Sequence, residues 1–363
     1  MLPFHRRVDT LLFPVPYSVL VRNFRSDAAL ESLRNASEAR TPNLVLYNYP
    51  SFSGAYGALF AHLYHSRLNL PCLILPFSSV IPFRVEDICI EGLKTCYFLD
   101  FIGPKGFAFE LSKRTSSKLI AFDHRQSALS RISSREYLDS NLTFHVNIEK
   151  SCSTAAYEYF SAALMETTRS DTDNTTSLLN PEEREQMEIV LKYIEDEDLR
   201  KWRLPDTQAF KIGLRDWRSK LNCMSNPWMY QQLMEISATD LIKKGKAYLL
   251  HRKSDANMLL QKVLRVQLGR GFYGECLGFR ADGNSELSDE IGKELSKRSV
   301  AAGLRPIGAV IYMQRNNLKM CLRTTDSSTD TSEIAKAYGG GGLPSSSSFI
   351  IRMDEYNKWL SPQ

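Results

Sequence analysis

Four short apolar runs restrict the fold open to this chain more than any other feature. They are NLVLYNYP (43–50), CLILPF (72–77), TCYFLDFIG (95–103) and KLIAFDH (118–124). Runs this short, apolar throughout and closed by turn or polar residues, read as buried strands. The first is followed by SFSGAYGALFAHLYHS, in which Gly54 marks the turn and Ala55, Ala58, Leu59, Ala61, His62 and Leu63 suit a tightly packed helix. Strand and helix signals alternate, which predicts an α/β fold with a parallel sheet and helices on both faces. In such sheets ligands sit outside the carboxyl ends of the strands. Asn48, Asp100 and Asp123 fall at or just beyond those ends and are expected to converge in space.

The chain then changes character. KSCSTAAYEYFSAALME (150–166) reads as a helix opened by Ser151 or Ser153. The polar stretch 167–181 is expected to be a flexible surface loop. Pro181, Glu182 and Glu183 open the next helix, with acids near the positive end of its dipole. That helix carries the run Glu195, Asp196, Glu197, Asp198. The run is either a solvated face or, with Trp202 suggesting that one side is packed, a source of a ligand turned toward a cleft. Residues 228–265 read as a mainly helical connector. From Val266, VQLGRGFYGECLGFRAD alternates like a hairpin around Gly269 and Gly271, and SELSDEIGKELSKRS is an amphipathic helix with Ser285 and Ser288 as candidate caps. IGAVIYMQRNNLKMCLRTT predicts two strands about an Asn316–Asn317 turn. DTSEIAKAYGGGGLPSSSSFIIRM predicts a short helix, a glycine loop and a final strand. The expected division is an N-terminal arm (1–42), a first domain (43–227), the connector (228–265) and a smaller α/β domain (266–363).

Composition narrows the classes of function. Lys and Arg number 46 against 41 Asp and Glu, and the net charge of +5 permits an anionic ligand without requiring one. No apolar run is long enough to span a bilayer, so no membrane role is expected. The seven cysteines show no CxxC pair and no regular spacing, which points to reduced thiols in a cytosol-like compartment. The N-terminal MLPFHRRVDTLLFPVPYSVLVRNFR holds four arginines and one acid. It reads either as a mitochondrial or plastid transit peptide or as an N-terminal arm, in which Pro14 and Pro16 interrupt any amphipathic helix. A cytoplasmic protein is the expectation.

Several residues carry candidate chemistry. Asp100 follows CYFL and Asp123 follows LIAF, and a carboxylate buried there is costly unless it is paired, hydrogen-bonded or metal-bound. Mg²⁺ and Mn²⁺ take carboxylate oxygens, and His124 adds a nitrogen that suits Mn²⁺. The alternative is that each Asp caps a following helix. The glycines 339–342 bring backbone N–H groups close to a ligand, a nest suited to phosphate, unless they form a flexible linker with the adjoining PSSSS. Arg323, at a strand end, offers forked donors to a phosphate or is an ordinary surface residue. His62 and His65 lack further ligands nearby and are expected to be packing or surface residues. Cys152 lies near a helix start, where thiol pKa values fall, but no base is paired with it.

The order of these motifs resembles the DHH–DHHA1 phosphoesterase superfamily of exopolyphosphatase-like proteins, nano-RNA hydrolases and RecJ exonucleases, from about residue 43 to 353. YNYPSFSGAYGALFAHL stands at a strand followed by His-x-x-x-x-Asp-Gly. YFLDF stands at an apolar strand ending in Asp, FDHRQSA at Asp-His-His, and YIEDEDLRKW at a helix carrying a further Asp, here Asp198. CLRTT stands at Ser-Leu-Arg-Ser, and GGGGLPSSSSF at a Gly-Gly-Gly-His loop preceded by a VDVSEIAK-like TDTSEIAK. The layout is similar to that of divergent plant members.

The resemblance implies a parallel-sheet DHH-like domain joined by helices to a smaller DHHA1-like substrate-binding domain. It implies hydrolysis of polyphosphate or short oligonucleotides with Mn²⁺ or Mg²⁺, and a phosphorylated small molecule or short nucleic acid as partner. Asp100, Asp123, His124 and Asp198 would be metal ligands, Asp123 and His124 catalytic, and Arg323, Gly340, Gly341 and Gly342 phosphate-binding. The chain departs from the pattern at Asn48 (family His), Ser53 (family Asp), Arg125 (the second His of Asp-His-His) and Leu343 (the glycine-loop His). An exopolyphosphatase branch also carries Asp-His-Arg, so Arg125 is expected to be tolerated. Asn is a weak ligand, Ser a poor one, and Leu343 cannot donate to phosphate. One metal site at most is expected to survive. The chain is then a metal-dependent hydrolase with impaired catalysis, or a non-catalytic pseudoenzyme that binds phosphate, nucleic acid or a protein.

Overall fold

The computed structural model describes residues 27–80, 82–133, 141–168, 177–261, 263–282 and 285–360. Residues 1–26 of the expected arm and most of the expected 167–181 loop lie outside the described residues. The chain divides into two compact units, one ending at Leu241 and the other beginning at Ile242.

The N-terminal unit holds α1 (Asp27–Glu38), β1 (Asn43–Asn48), α2 (Phe52–Arg67), β2 (Cys72–Phe77), α3 (Val85–Ile88), β3 (Thr95–Leu99), α4 (Phe107–Arg114), β4 (Lys118–Asp123), α5 (Gln126–Ser133), β5 (Leu142–Val146), α6 (Cys152–Thr168), α7 (Pro181–Asp198), α8 (Thr207–Leu214) and α9 (Met229–Met234). The five strands run parallel in the order β2-β1-β3-β4-β5. Both sheet faces are covered, which is why the strands read as continuous apolar runs rather than alternating ones. Phe98 and Leu46 join a core with Leu33 of α1 and Leu111 of α4. On the other face, Tyr97 meets Phe160 of α6 at 5.3 Å. The register fixes the site: Tyr47 pairs with Leu99 and Leu99 with Phe122, so Asn48, Asp100 and Asp123 follow at one level.

Local chemistry accounts for the helix starts and for several corrections. Asn180 caps α7 in a reciprocal box with Glu183, and Pro181 takes the first helical position. Ser151 precedes α6 and its Oγ accepts from the Thr154 N–H at 3.3 Å, whereas Ser153 lies inside the helix. Gly54 is not a turn: it sits in the first turn of α2, which Ser51 caps. There a Cβ would lie 2.5 Å from the Asn48 carbonyl oxygen, so glycine lets helix and strand end approach closely. Trp202 marks no packed helix face: it lies beyond α7, 49% exposed, with Lys211 over its ring. The expected arm also gives way earlier, since α1 buries Ala29, Leu33 and Ala36.

Helix α10 (Ala238–Leu259) leads into the C-terminal unit of β6 (Leu264–Gln267), β7 (Glu275–Arg280), α11 (Ser288–Ala301), β8 (Gly308–Gln314), β9 (Asn317–Arg323), α12 (Ser332–Ala337), β10 (Gly341–Leu343), β11 (Ser346–Ile351) and α13 (Met353–Asn357). Its sheet has the order β10-β11-β9-β8-β7-β6, antiparallel except for β7–β8. Both expected hairpins form. The second turns on Arg315–Asn316 rather than Asn316–Asn317, because Gln314 pairs with Asn317 and Arg315 takes φ 56°. Leu287, not Ser285 or Ser288, precedes α11. The glycine run is not a loop along its length: Gly341 pairs with Ser348 and Leu343 with Ser346. Among the described residues, no helix is long and apolar enough to cross a membrane.

Candidate functional site

Three strand ends deliver the polar residues. Asp100 directly follows β3 in a left-handed conformation, φ 66°, and is 2% exposed. No helix starts there, so it is not a cap. Asp123, 4% exposed, ends β4, and its Oδ1 accepts the backbone N–H groups of His124 at 2.8 Å and Arg125 at 3.1 Å. The Arg125 guanidinium closes on the same carboxylate, with Nε 2.8 Å from Oδ1 and Nη2 3.0 Å from Oδ2. Nη2 also donates to the Asp100 carbonyl oxygen. Asn48 Nδ2 donates to Asp100 Oδ2 at 2.9 Å.

Asp100, Asp123 and His124 place one ligand atom each within 4.8 Å of one another. His124 Nδ1 lies 3.2 Å from Asp100 Oδ1, an ion-pair contact without hydrogen-bond alignment, and both atoms are buried without a hydrogen-bond partner among the described residues. Burial opposes the charged ring of His124, but Asp100, Asp198 and Asp123 outweigh it and raise its pKa. Burial likewise opposes ionisation of Asp100, but His124 and Arg125 outweigh it and hold its carboxyl below the usual range.

The acidic run at the end of α7 is sorted by helix geometry. Asp196 is buried and organises the following loop, accepting from the Arg203 N–H at 2.9 Å, the Leu204 N–H at 3.3 Å and the Thr207 hydroxyl. Glu195 accepts from the Ser151 N–H at 3.0 Å, and Glu197 pairs with Lys211 at 2.8 Å. Asp198 Oδ2 accepts from the hydroxyl of Ser53, which is fully buried and 3.3 Å from Ser153 Oγ. Burial, with Asp100 adding to it, pushes the Asp198 carboxyl up to about 7. The expected ligands therefore split into a trio and Asp198, which is tied to Ser53. The serines 151 and 153 behind it gave no sequence signal beyond their place at a helix start.

The donor set decides what fits. A pair of divalent cations would need carboxylate oxygens that here accept N–H and O–H donors of the chain itself: both of Asp123, Oδ2 of Asp100 and Oδ2 of Asp198. Two cations do not fit this arrangement. Asp100 Oδ1 and His124 Nδ1 are the bare atoms open to a single one. Beside them lies a cavity of about 320 Å³ whose lining includes Asn48, Phe77, Phe101, Asp123, Arg125 and Arg131.

In the C-terminal unit, Arg323 pairs across the sheet with Ser346, and Ser346 with Leu343, so these residues lie level. Arg323 Nε donates to Asp289 Oδ1 at 2.9 Å and Nη1 to the Leu322 carbonyl at 3.0 Å. Leu343 is 68% exposed. Gly340 allows a close approach: a Cβ there would lie 2.2 Å from the Ser348 carbonyl oxygen. Elsewhere, burial pushes the Cys152 thiol well up, so it is not poised as a nucleophile. His62 stacks on Tyr230 with ring centroids 4.3 Å apart, and His65 Nδ1 lies 2.7 Å from the Ala61 carbonyl oxygen.

No family model and no curated protein matches the chain. Among solved structures, it is similar to the pGpG-specific phosphodiesterase PggH of Vibrio cholerae, at 11% identity and TM-score 0.41, over 87% of this chain and 95% of that one. It is similar to an exopolyphosphatase-related protein of Bacteroides fragilis, at 11% identity and TM-score 0.33, over 92% and 94%. It is also similar to RecJ of Thermus thermophilus in complex with Mn²⁺, at 12% identity and TM-score 0.37, over 90% of this chain and 52% of RecJ.

Proposed function

We propose that this chain is a protein of the DHH–DHHA1 phosphoesterase type that binds a phosphorylated small molecule or short nucleic acid and whose hydrolytic step is impaired or lost. The observation that carries this reading is the Arg125 guanidinium forked onto both oxygens of Asp123, seconded by the Asn48 amide on Asp100. A two-metal phosphoesterase uses both cations to generate the nucleophile and to neutralise attacking and leaving oxygens. Each such electrostatic contact that is lost commonly costs about 10²–10³ in rate. In the C-terminal unit, Arg323 and the glycines 340–342 are read as phosphate-recognising elements, with Asp289 as the counter-ion that Arg323 shares.

A second reading is a slow, single-cation hydrolase. The bare Asp100 Oδ1 and His124 Nδ1 favour it, since these atoms would hold one Mn²⁺ or Mg²⁺. Such an ion, when bound, supplies Lewis-acid polarisation of a phosphoryl oxygen.

The test is Mn²⁺-dependent hydrolysis of polyphosphate and short oligoribonucleotides by the purified chain, beside Asp123→Ala and the quadruple variant Asn48→His, Ser53→Asp, Arg125→His, Leu343→His. The native chain is expected to stay at the level of Asp123→Ala, and the quadruple variant to gain activity. Robust native turnover that Asp123→Ala abolishes overturns the proposal.

A further inference from the structure

We infer that the cavity beside Asp123 binds a terminal phosphate group without any metal ion, with the Arg125 guanidinium as its built-in cation. The inference rests on the reading of the chain as a phosphate-binding, non-hydrolysing protein. It starts from the misfit between a metal pair and the donors present. A guanidinium carries the same sign of charge that a metal ion would bring, and its planar fork matches phosphate as well as carboxylate.

The geometry leaves part of that fork for a ligand. Asp123 and the Asp100 carbonyl take the Nε and Nη2 donors of Arg125. None of these bonds uses Nη1, and the side chain stays 42% exposed while lining the cavity. The two bonds to Asp123 fix the plane of the group before any ligand arrives, so little rotamer freedom is left to lose on binding. The charged residues lining the cavity are Arg125, Arg131 and Asp123, and the Asp100 carboxylate lies 4.0 Å from the Arg125 guanidinium, so the site offers a phosphate the donors of Arg125 rather than a broad positive field. Phe77, Phe101 and Ile102 form apolar walls, and an ion pair beside apolar walls is stronger than one in open water. A cavity of about 320 Å³ is at the small end of ligand sites, which suits a phosphate with a small substituent.

Arg125 and a cation compete for the same Asp123 oxygens. Removing the guanidinium should therefore turn a metal-independent site into a metal-binding one, because Asp100, Asp123 and His124 already place ligand atoms within 4.8 Å of one another.

The test is calorimetric titration of the full chain with inorganic phosphate, adenosine 5′-monophosphate, and a short oligonucleotide with and without a 5′-phosphate, each in EDTA and in Mn²⁺. A phosphate-bearing probe is expected to bind in EDTA with an affinity within about 2-fold of that in Mn²⁺, and the dephosphorylated oligonucleotide to bind far more weakly. Which probe binds best separates a free phosphomonoester from a nucleic-acid end. Arg125→Gln is expected to weaken binding about 10-fold or more, and Arg125→Lys, which keeps the charge without the fork, to fall between. Mn²⁺ is expected to raise the melting temperature of Arg125→Ala and not that of the native chain. Binding that requires Mn²⁺, no phosphate binding in EDTA, or unchanged affinity in a folded Arg125→Gln overturns the inference. Should Arg125→Gln fail to fold, native affinity in Arg125→Lys overturns it instead. Metal-dependent binding without hydrolysis sinks this inference alone, whereas metal-dependent hydrolysis sinks the proposed function.

Discussion

Asn48 Nδ2 donates to Asp100 Oδ2 at 2.9 Å, across the ends of two adjacent parallel strands. The amide thus satisfies an oxygen of a carboxylate that is 2% exposed. Asn48→Asp changes almost no volume but replaces the donor with a second acceptor. The buried oxygen then faces a like charge, and stability in EDTA is expected to fall by about 1–3 kcal/mol. A chelated thermal melt checks the loss, and added Mn²⁺ is expected to restore part of it. An unchanged melting temperature would mean that the amide does not support Asp100.

Ser53 poses the same question at the other carboxylate. Its hydroxyl donates to Asp198 and it is fully buried, so Ser53→Ala leaves an acceptor unsatisfied at a cost of about 1–3 kcal/mol. Ser53→Asp is expected to cost more in EDTA, because a second carboxylate is forced against one that burial has already pushed up to about 7. Denaturant melts of the two variants give the order directly. Ser53→Asp more stable than Ser53→Ala without metal contradicts it.

Much of the N-terminal unit was legible in the sequence because its strands are covered on both faces, which leaves continuous apolar runs that end where the sheet ends. The site residues converge as expected because β1, β3 and β4 end level. Strand β5 escaped notice as a short edge strand in which buried and exposed residues mix. Which acid faces the site was also hidden: Asp196 and Asp198 are two residues apart, hence about 200° apart around the helix, and composition does not say which one turns inward. The fork of Arg125 onto Asp123 depends on a side-chain conformation that no motif encodes. The glycine run read as a loop because glycine signals freedom, whereas Gly340 is needed for the close approach of the Ser348 carbonyl.

Gly54 tests how tightly the helix after β1 must approach the strand end. Alanine favours a helix interior over glycine by about 1 kcal/mol. Here the added Cβ would lie 2.5 Å from the Asn48 carbonyl oxygen, which is backbone and cannot rotate away. Gly54→Ala is therefore expected to destabilise by about 1–3 kcal/mol through overpacking. It should also disturb the Asn48–Asp100 pair, visible as a shift of the Asn48 side-chain amide in an NMR spectrum. A stabilised variant would show that α2 can shift at no cost.

Arg323 gives the C-terminal unit its own test. Its Nε is held by Asp289, which Lys293 also approaches at 2.7 Å. If Arg323 recognises phosphate, Asp289 competes with the ligand for the guanidinium while also orienting it. Asp289→Asn removes the competing charge but keeps an oxygen for Nε. Its affinity for a 5′-phosphorylated oligonucleotide is expected to rise by a few-fold, whereas Arg323→Ala lowers it by about 10-fold or more. The same titration on Asp289→Asn combined with Arg323→Ala separates the causes: the gain must vanish when Arg323 is gone. A gain that persists without Arg323 assigns the effect to net charge alone and removes Arg323 from the binding site.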